Sequence, residues 1–336
     1  MHWWIIVLIS LGLACSKTEA PPPVEPEPAT SDTEAAKDEV PSESTEQPAR
    51  TEAAAAMSVG DPPEIQVIDP GKEPLRTLRW SIKPGLQQKL SMKTTVLTEG
   101  LIGGALTFRT HVPPMTHEIR VRAKETVPGE SAHLTFKIKK VSLDFSEIPQ
   151  KLHARMGESA KAVQGLRGSY SFEPRGLVKD AKIELPADAS RTTHSFAERI
   201  LWSLSHMVAP FPETPVGEGA KWSVASAIQQ EGIRINQFLA VEITKLQGTL
   251  VDIKIEVEQS APPQEFKAPT GSSERELFLS SFNAKGSVTA TWDLAEVIPR
   301  SAGLEDMSEK HVEYKVDGRP TETSSTTTLA TTMGGK

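Results

Sequence analysis

The sequence predicts a mainly β protein of α+β type, built as a curved antiparallel sheet or an open barrel-like domain with one or two short amphipathic helices. Three observations predict it. Apolar residues recur at every second position in many separate runs, the period of strands that bury one face and wet the other. Pro and Gly turns punctuate those runs. Only two stretches carry apolar residues at helical spacing instead.

Composition narrows the class further. The chain has 336 residues, 38% hydrophobic, with 44 acidic against 37 basic side chains and a single Cys. One Cys excludes a disulfide framework and a Cys-rich zinc module. A net charge of −7 argues against general nucleic-acid binding, so no nucleic-acid partner is expected. The charge is uneven. Residues 16–72 hold thirteen acids and four bases, a net of −9, which leaves the remainder nearly neutral.

The first element is residues 1–14. The run WWIIVLISLGLA over 3–14 is too short to span a bilayer and suits the apolar part of a signal peptide. Ala14 is small, and the chain's sole cysteine, Cys15, follows directly. The stretch Leu11–Cys15, LGLAC, resembles the lipobox of bacterial lipoproteins, with Gly12 where the family prefers Leu. The resemblance implies cleavage between Ala14 and Cys15 and a diacylglycerol on the Cys15 thiol. Ser16, in place of the Asp that retains many such proteins in the inner membrane, implies outer-membrane placement in a cell with two membranes.

Residues 15–72 read as an acidic tether. Pro, Glu, Ala, Ser and Thr dominate to about residue 60, and no apolar period offsets the entropy of ordering. Within residues 61–72, Ile65–Ile68 is the one short apolar run and reads as a possible first edge strand.

The body is 73–336. Alternating runs fall at Arg79–Lys83, His117–Lys124, His133–Leu143, Thr249–Glu258, Ser287–Leu294 and His311–Val316. Turns are expected at Lys83-Pro84-Gly85, Val127-Pro128-Gly129, Glu173–Gly176 and Asp317-Gly318. The third joins Tyr170–Phe172 to Leu177–Leu185 as a hairpin, and the Thr-rich run Thr321–Met333 reads as a final strand. One helix is expected from Pro149, with Leu152, Met156, Ala160 and Val163 on a face. A second runs through Phe196, Ile200, Leu201, Leu204, Met207 and Val208, with Thr192 and Thr193 as caps and Pro210 at its end.

Trp80-Ser-Ile before Gln87-Gln88 and Trp222-Ser-Val before Gln229-Gln230 share one spacing, which suggests two related β units, 73–190 and 211–336. Between them, residues 210–222 form the most distinctive loop, where Phe211 and Trp222 are expected to pack over a sheet end. Its Pro215–Trp222 segment, PVGEGAKW, resembles a pattern in bacterial envelope lipoproteins with an extended β domain, a family that brings no known activity.

Catalytic and metal motifs are not found. There is no HExxH, no GxSxG elbow and no phosphate-loop spacing. His111 and His117 flank Pro113-Pro114 and read as surface positions. Asp144 with Glu147, and Glu305 with Asp306, are candidate carboxylate pairs that read better as solvated acids. No enzyme activity, cofactor or metal is therefore expected. The reading is a membrane-anchored envelope lipoprotein with a non-catalytic binding or structural role. The face formed by Phe196, Ile200, Leu204, Met207, Phe211 and Trp222 either packs as core, meets an envelope protein, or lids a cavity carrying a lipid or other apolar ligand.

Overall fold

The computed structural model describes residues 62–126, 130–186, 189, 193–194, 197, 200–201, 203–204, 208–230, 232–267, 276–316 and 319–335. Ala14, Cys15, Phe196, Met207 and the turns at 127–129 and 317–318 lie outside the described residues.

The strands run in chain order as β1 (Glu64–Asp69), β2 (Lys72–Arg76), β3 (Gln87–Ile102), β4 (Leu106–Thr126) and β5 (Ala132–Leu143). Helix α1 (Gln150–Val163) follows, then β6 (Arg167–Phe172), β7 (Val178–Glu184), β8 (Val216–Glu218), β9 (Lys221–Gln230) and β10 (Ile233–Gln247). The remainder is β11 (Leu250–Ala261), β12 (Gln264–Lys267), β13 (Glu276–Asp293), β14 (Ser301–Val316) and β15 (Arg319–Gly335).

Thirteen of these strands form one antiparallel sheet in the order β1-β9-β10-β11-β13-β14-β15-β3-β4-β5-β6-β7, with β12 also on β13. The sheet is open: β1 and β7 are its edges. The mainly β, open antiparallel architecture expected from the alternation is thus the observed one. The final strand, β15, sits between β14 and β3 and joins the two halves of the sheet. β1 is the edge strand expected at Ile65–Ile68. With β2 it places ordered structure inside the stretch 15–72 read as tether.

α1 starts after Pro149 as expected. Thr193, His194, Ala197, Ile200, Leu201, Ser203 and Leu204 are helical, at the second expected position. The two Trp-to-Gln stretches differ. Residues 80–86 precede β3 as a loop with a turn at Pro84-Gly85, whereas Trp222–Gln230 is strand β9. The same spacing therefore does not mark the same structure.

One large core fills one end of the sheet. Trp80 stacks on Phe211 with ring centroids 4.5 Å apart and meets Phe172 and Trp292 edge-on at 5.2 and 5.9 Å. Such aromatic pairs contribute roughly 0.5–1.5 kcal/mol each beyond area burial. Gly176 lets Trp80 approach. It sits at φ +94°, and a Cβ there would lie 2.6 Å from the Trp80 ring and 2.8 Å from Val208. A second, smaller cluster at the other end joins Ile233, Ile235, Phe266, Leu277, Leu279 and Tyr314.

Candidate functional site

The expected face is interior. Ile200, Leu204, Phe211 and Trp222 are all buried, and they belong to the same core as Trp80 and Trp292. Phe211 and Trp222 pack together as expected, with centroids 6.1 Å apart. The loop holding them is pinned by hydrogen bonds. The Trp222 indole N–H donates to the Pro210 carbonyl at 3.0 Å, Arg175 Nε to the Phe211 carbonyl at 3.0 Å, and Arg79 Nη1 to the Pro212 carbonyl at 2.9 Å. The guanidinium of Arg175 also pairs with Glu213 at 2.8 Å. These contacts satisfy carbonyls that would otherwise be buried without donors.

The core face carries one row of different chemistry. Gln237, Gln259, Ala284, Ser308, Thr327 and Thr98 are register partners in turn across β10, β11, β13, β14, β15 and β3. Gln259 Nε2 donates to Gln237 Oε1 at 2.7 Å, and the Thr98 and Thr327 hydroxyls are 3.0 Å apart. This polar row runs between the large core and the far cluster.

At the level of that row, a half-open groove of about 590 Å³ crosses β9, β10, β11 and β13. Phe238, Glu258 and Lys285 line one side and Asn236, Ser260 and Asn283 the other, with Pro62 and Glu64 at its end. These side chains alternate with the core-facing row, so the groove lies on the outer face. Phe238 is 45% exposed there, and Lys285 pairs with Glu258 at 3.2 Å. Met307, the next register partner after Lys285, is 52% exposed. Sequence reasoning missed this groove because its residues are the wet half of each alternation, where an exposed Phe gives no local signal.

Of the candidate carboxylate pairs, Glu305 and Asp306 separate. Glu305 and Asp306 are consecutive on β14 and point to opposite faces. Glu305 is exposed, while Asp306 is mostly buried on the core face, where burial raises its pKa to about 6. Asp144 is exposed and accepts the Ser146 N–H at 3.1 Å, and that bond holds its carboxyl below the usual range.

His117 departs from its expected surface position. It is only 4% exposed. The reason is the treatment of Pro113-Pro114. They do not form a loop; β4 runs through them, and the pairing with β3 steps from Val96↔Val112 to Thr94↔Met115, so a bulge absorbs them. β5 pairs with β4 only from Met115 onward, so the prolines block no donor needed by that neighbour. The strand then continues with His117 on the core face.

Among the described residues no group of three or more His, Cys, Asp or Glu side chains gathers to hold a metal, and no helix is long and apolar enough to cross a membrane. No protein-family model matches the chain, and no curated protein matches it.

Proposed function

We propose that this chain is a membrane-anchored envelope lipoprotein, held by lipid on Cys15, whose β domain binds an envelope protein partner rather than catalysing a reaction. The observation that carries the binding reading is the outer-face groove, where Phe238 stands exposed between polar walls. Aromatic side chains, Phe among them, are enriched at protein interfaces relative to the rest of the surface. The groove crosses β9, β10, β11 and β13 and is half-open, a shape suited to an extended segment of a partner. The LGLAC stretch supports the anchor, and the acidic Pro-rich tether supports a domain that works away from the bilayer. The carrier alternative expects a hollow beneath the second helix. It draws less support, because Ala197, Ile200, Leu201 and Leu204 are core side chains.

Two measurements test the reading in the host. Cys15→Ala is expected to shift the protein from the membrane pellet to the supernatant and to abolish incorporation of labelled palmitate; retention in the pellet refutes the anchor. A photo-crosslinking residue at position 238 is expected to give one discrete adduct with another protein, absent when the probe is at outward-facing Thr289. Equal adducts at both positions refute the groove as the binding surface.

A further inference from the structure

We propose that the core face of β15, β3 and β4 holds a site for a soft monovalent metal ion, Cu(I), formed by the thioethers of Met92, Met115 and Met333 around the imidazole of His117. The inference is independent of the outer groove.

Register brings the four together. Met333 is the direct partner of Met92, and Met92 is the direct partner of His117. Met115 precedes His117 by two residues in an unbroken stretch of β4, so both share one face. Directly opposed side chains on neighbouring antiparallel strands keep their Cβ atoms about 4.5–5.5 Å apart. All four residues are buried: Met92 is 1% exposed, His117 4%, Met115 5% and Met333 8%. Three of the chain's eight methionines thus share one buried face with this histidine, Met92 directly beside it, Met115 two residues before it on the same strand, and Met333 one strand beyond Met92.

The histidine distinguishes this patch from ordinary packing. Methionine alone fills irregular core space well. His117, however, has neither Nδ1 nor Nε2 hydrogen-bonded, and both atoms are buried. Leaving such a group unsatisfied costs about 1–3 kcal/mol, and native interiors seldom do so. A neutral imidazole carries a lone pair on one ring nitrogen, which a metal ion can take up. A metal ion is the partner that such a nitrogen accepts without a donor hydrogen.

The donor set selects the ion. Three neutral thioethers and one imidazole supply no anionic ligand. Soft sulfur donors suit Cu(I), whereas Mg²⁺ and Ca²⁺ require oxygen and structural Zn²⁺ sites use thiolate, imidazole and carboxylate. A monovalent ion also adds only one charge to a core face that offers no counter-charge in the set.

The test uses the full chain carrying Cys15→Ser, so that no thiol competes. Cu(I) is offered as its coloured bicinchoninate complex, and transfer to the protein is read from loss of colour. One equivalent is expected to transfer. Met92→Leu and Met115→Leu, which keep volume, are each expected to weaken binding roughly tenfold or more. Met307→Leu, on the outer face, is expected to change nothing. Failure of the wild-type core to take an equivalent overturns the proposal, as does full retention in a Met92→Leu/Met115→Leu/Met333→Leu variant. Should that variant not fold, X-ray absorption of the loaded chain decides: sulfur and imidazole scatterers are expected around copper, and a spectrum without sulfur overturns the site.

Discussion

Asp306→Asn should gain stability relative to wild type as pH rises from 4 to 8. Asp306 faces the core, opposite Gly286, and burial is what moves its pKa from the ordinary 3.8 to about 6. The folded chain therefore holds this proton more tightly than the unfolded chain does. Below pH 3.8 both states are protonated and the buried acid costs nothing extra. As pH rises toward 6 the folded state must lose the proton or keep it against solution, so stability falls, and above about 6 the loss is complete. At about 1.4 kcal/mol per pH unit, the interval from 3.8 to about 6 corresponds to about 3 kcal/mol. Asn has nearly the same shape and no charge, so it removes the dependence. Its amide adds hydrogens that need partners, which shifts the variant by an amount that does not vary with pH. The diagnostic is therefore the slope. Urea unfolding of both proteins from pH 4 to pH 8 is the assay, because other acids titrate alike in both and cancel in the difference. The Asn variant should gain on wild type by about 3 kcal/mol across that range. A difference independent of pH would refute the assignment of a buried carboxyl whose pKa is raised by desolvation.

Two further outcomes follow from the packing. Gln259→Leu alone leaves the buried Gln237 amide without its 2.7 Å partner and should destabilise by about 1–3 kcal/mol, while Gln237→Leu/Gln259→Leu should recover most of that loss in a double-mutant cycle; additive losses would show that the pair is not coupled. Gly176→Ala combines a φ of +94° with a Cβ pressed on Trp80 and should lower stability by about 2–4 kcal/mol with loss of Trp fluorescence character, whereas Gly157→Ala, in open space on α1, should be neutral or stabilising by about 1 kcal/mol. An unchanged melting temperature for Gly176→Ala would contradict the close approach.

What the sequence made legible was periodic. Val251, Ile253 and Ile255 alternate with charged or polar neighbours, and that alone placed β11 and its buried face. The Thr run of β15 was readable because β-branched residues fit a pleated surface even without strong hydrophobicity. What stayed hidden depends on pairing. Met92 and His117 become neighbours only through the β3–β4 register, and Met333, more than two hundred residues on, joins Met92 only because β15 returns between β14 and β3. His117 was misread because Pro113-Pro114 signals a break, and only the pairing shows that a bulge takes up the extra residue. The Trp-to-Gln spacing misled for the converse reason: identical local spacing is loop in one place and strand in the other, since tertiary partners decide.

The polar row answers a problem that the apolar rows create. A slip of one residue turns every side chain to the wrong face and is excluded by burial. A slip of two keeps the faces and sets Val or Ile against Val or Ile almost as before, since Leu239, Val241 and Ile243 oppose Val257, Ile255 and Ile253. Hydrophobic matching alone therefore separates these registers weakly. The Gln237–Gln259 pair does not tolerate that slip, because each amide would then face an apolar partner and lose its hydrogen bond. The Thr98–Thr327 contact adds to this between β3 and β15 against the slip that would set Thr98 against Leu329. At this level polar pairs thus help select the alignment of β10 with β11 and of β15 with β3. The outer groove lies at that level, so the Gln237–Gln259 pair that sets the β10–β11 register also sets Phe238 beside Glu258 on the outer face.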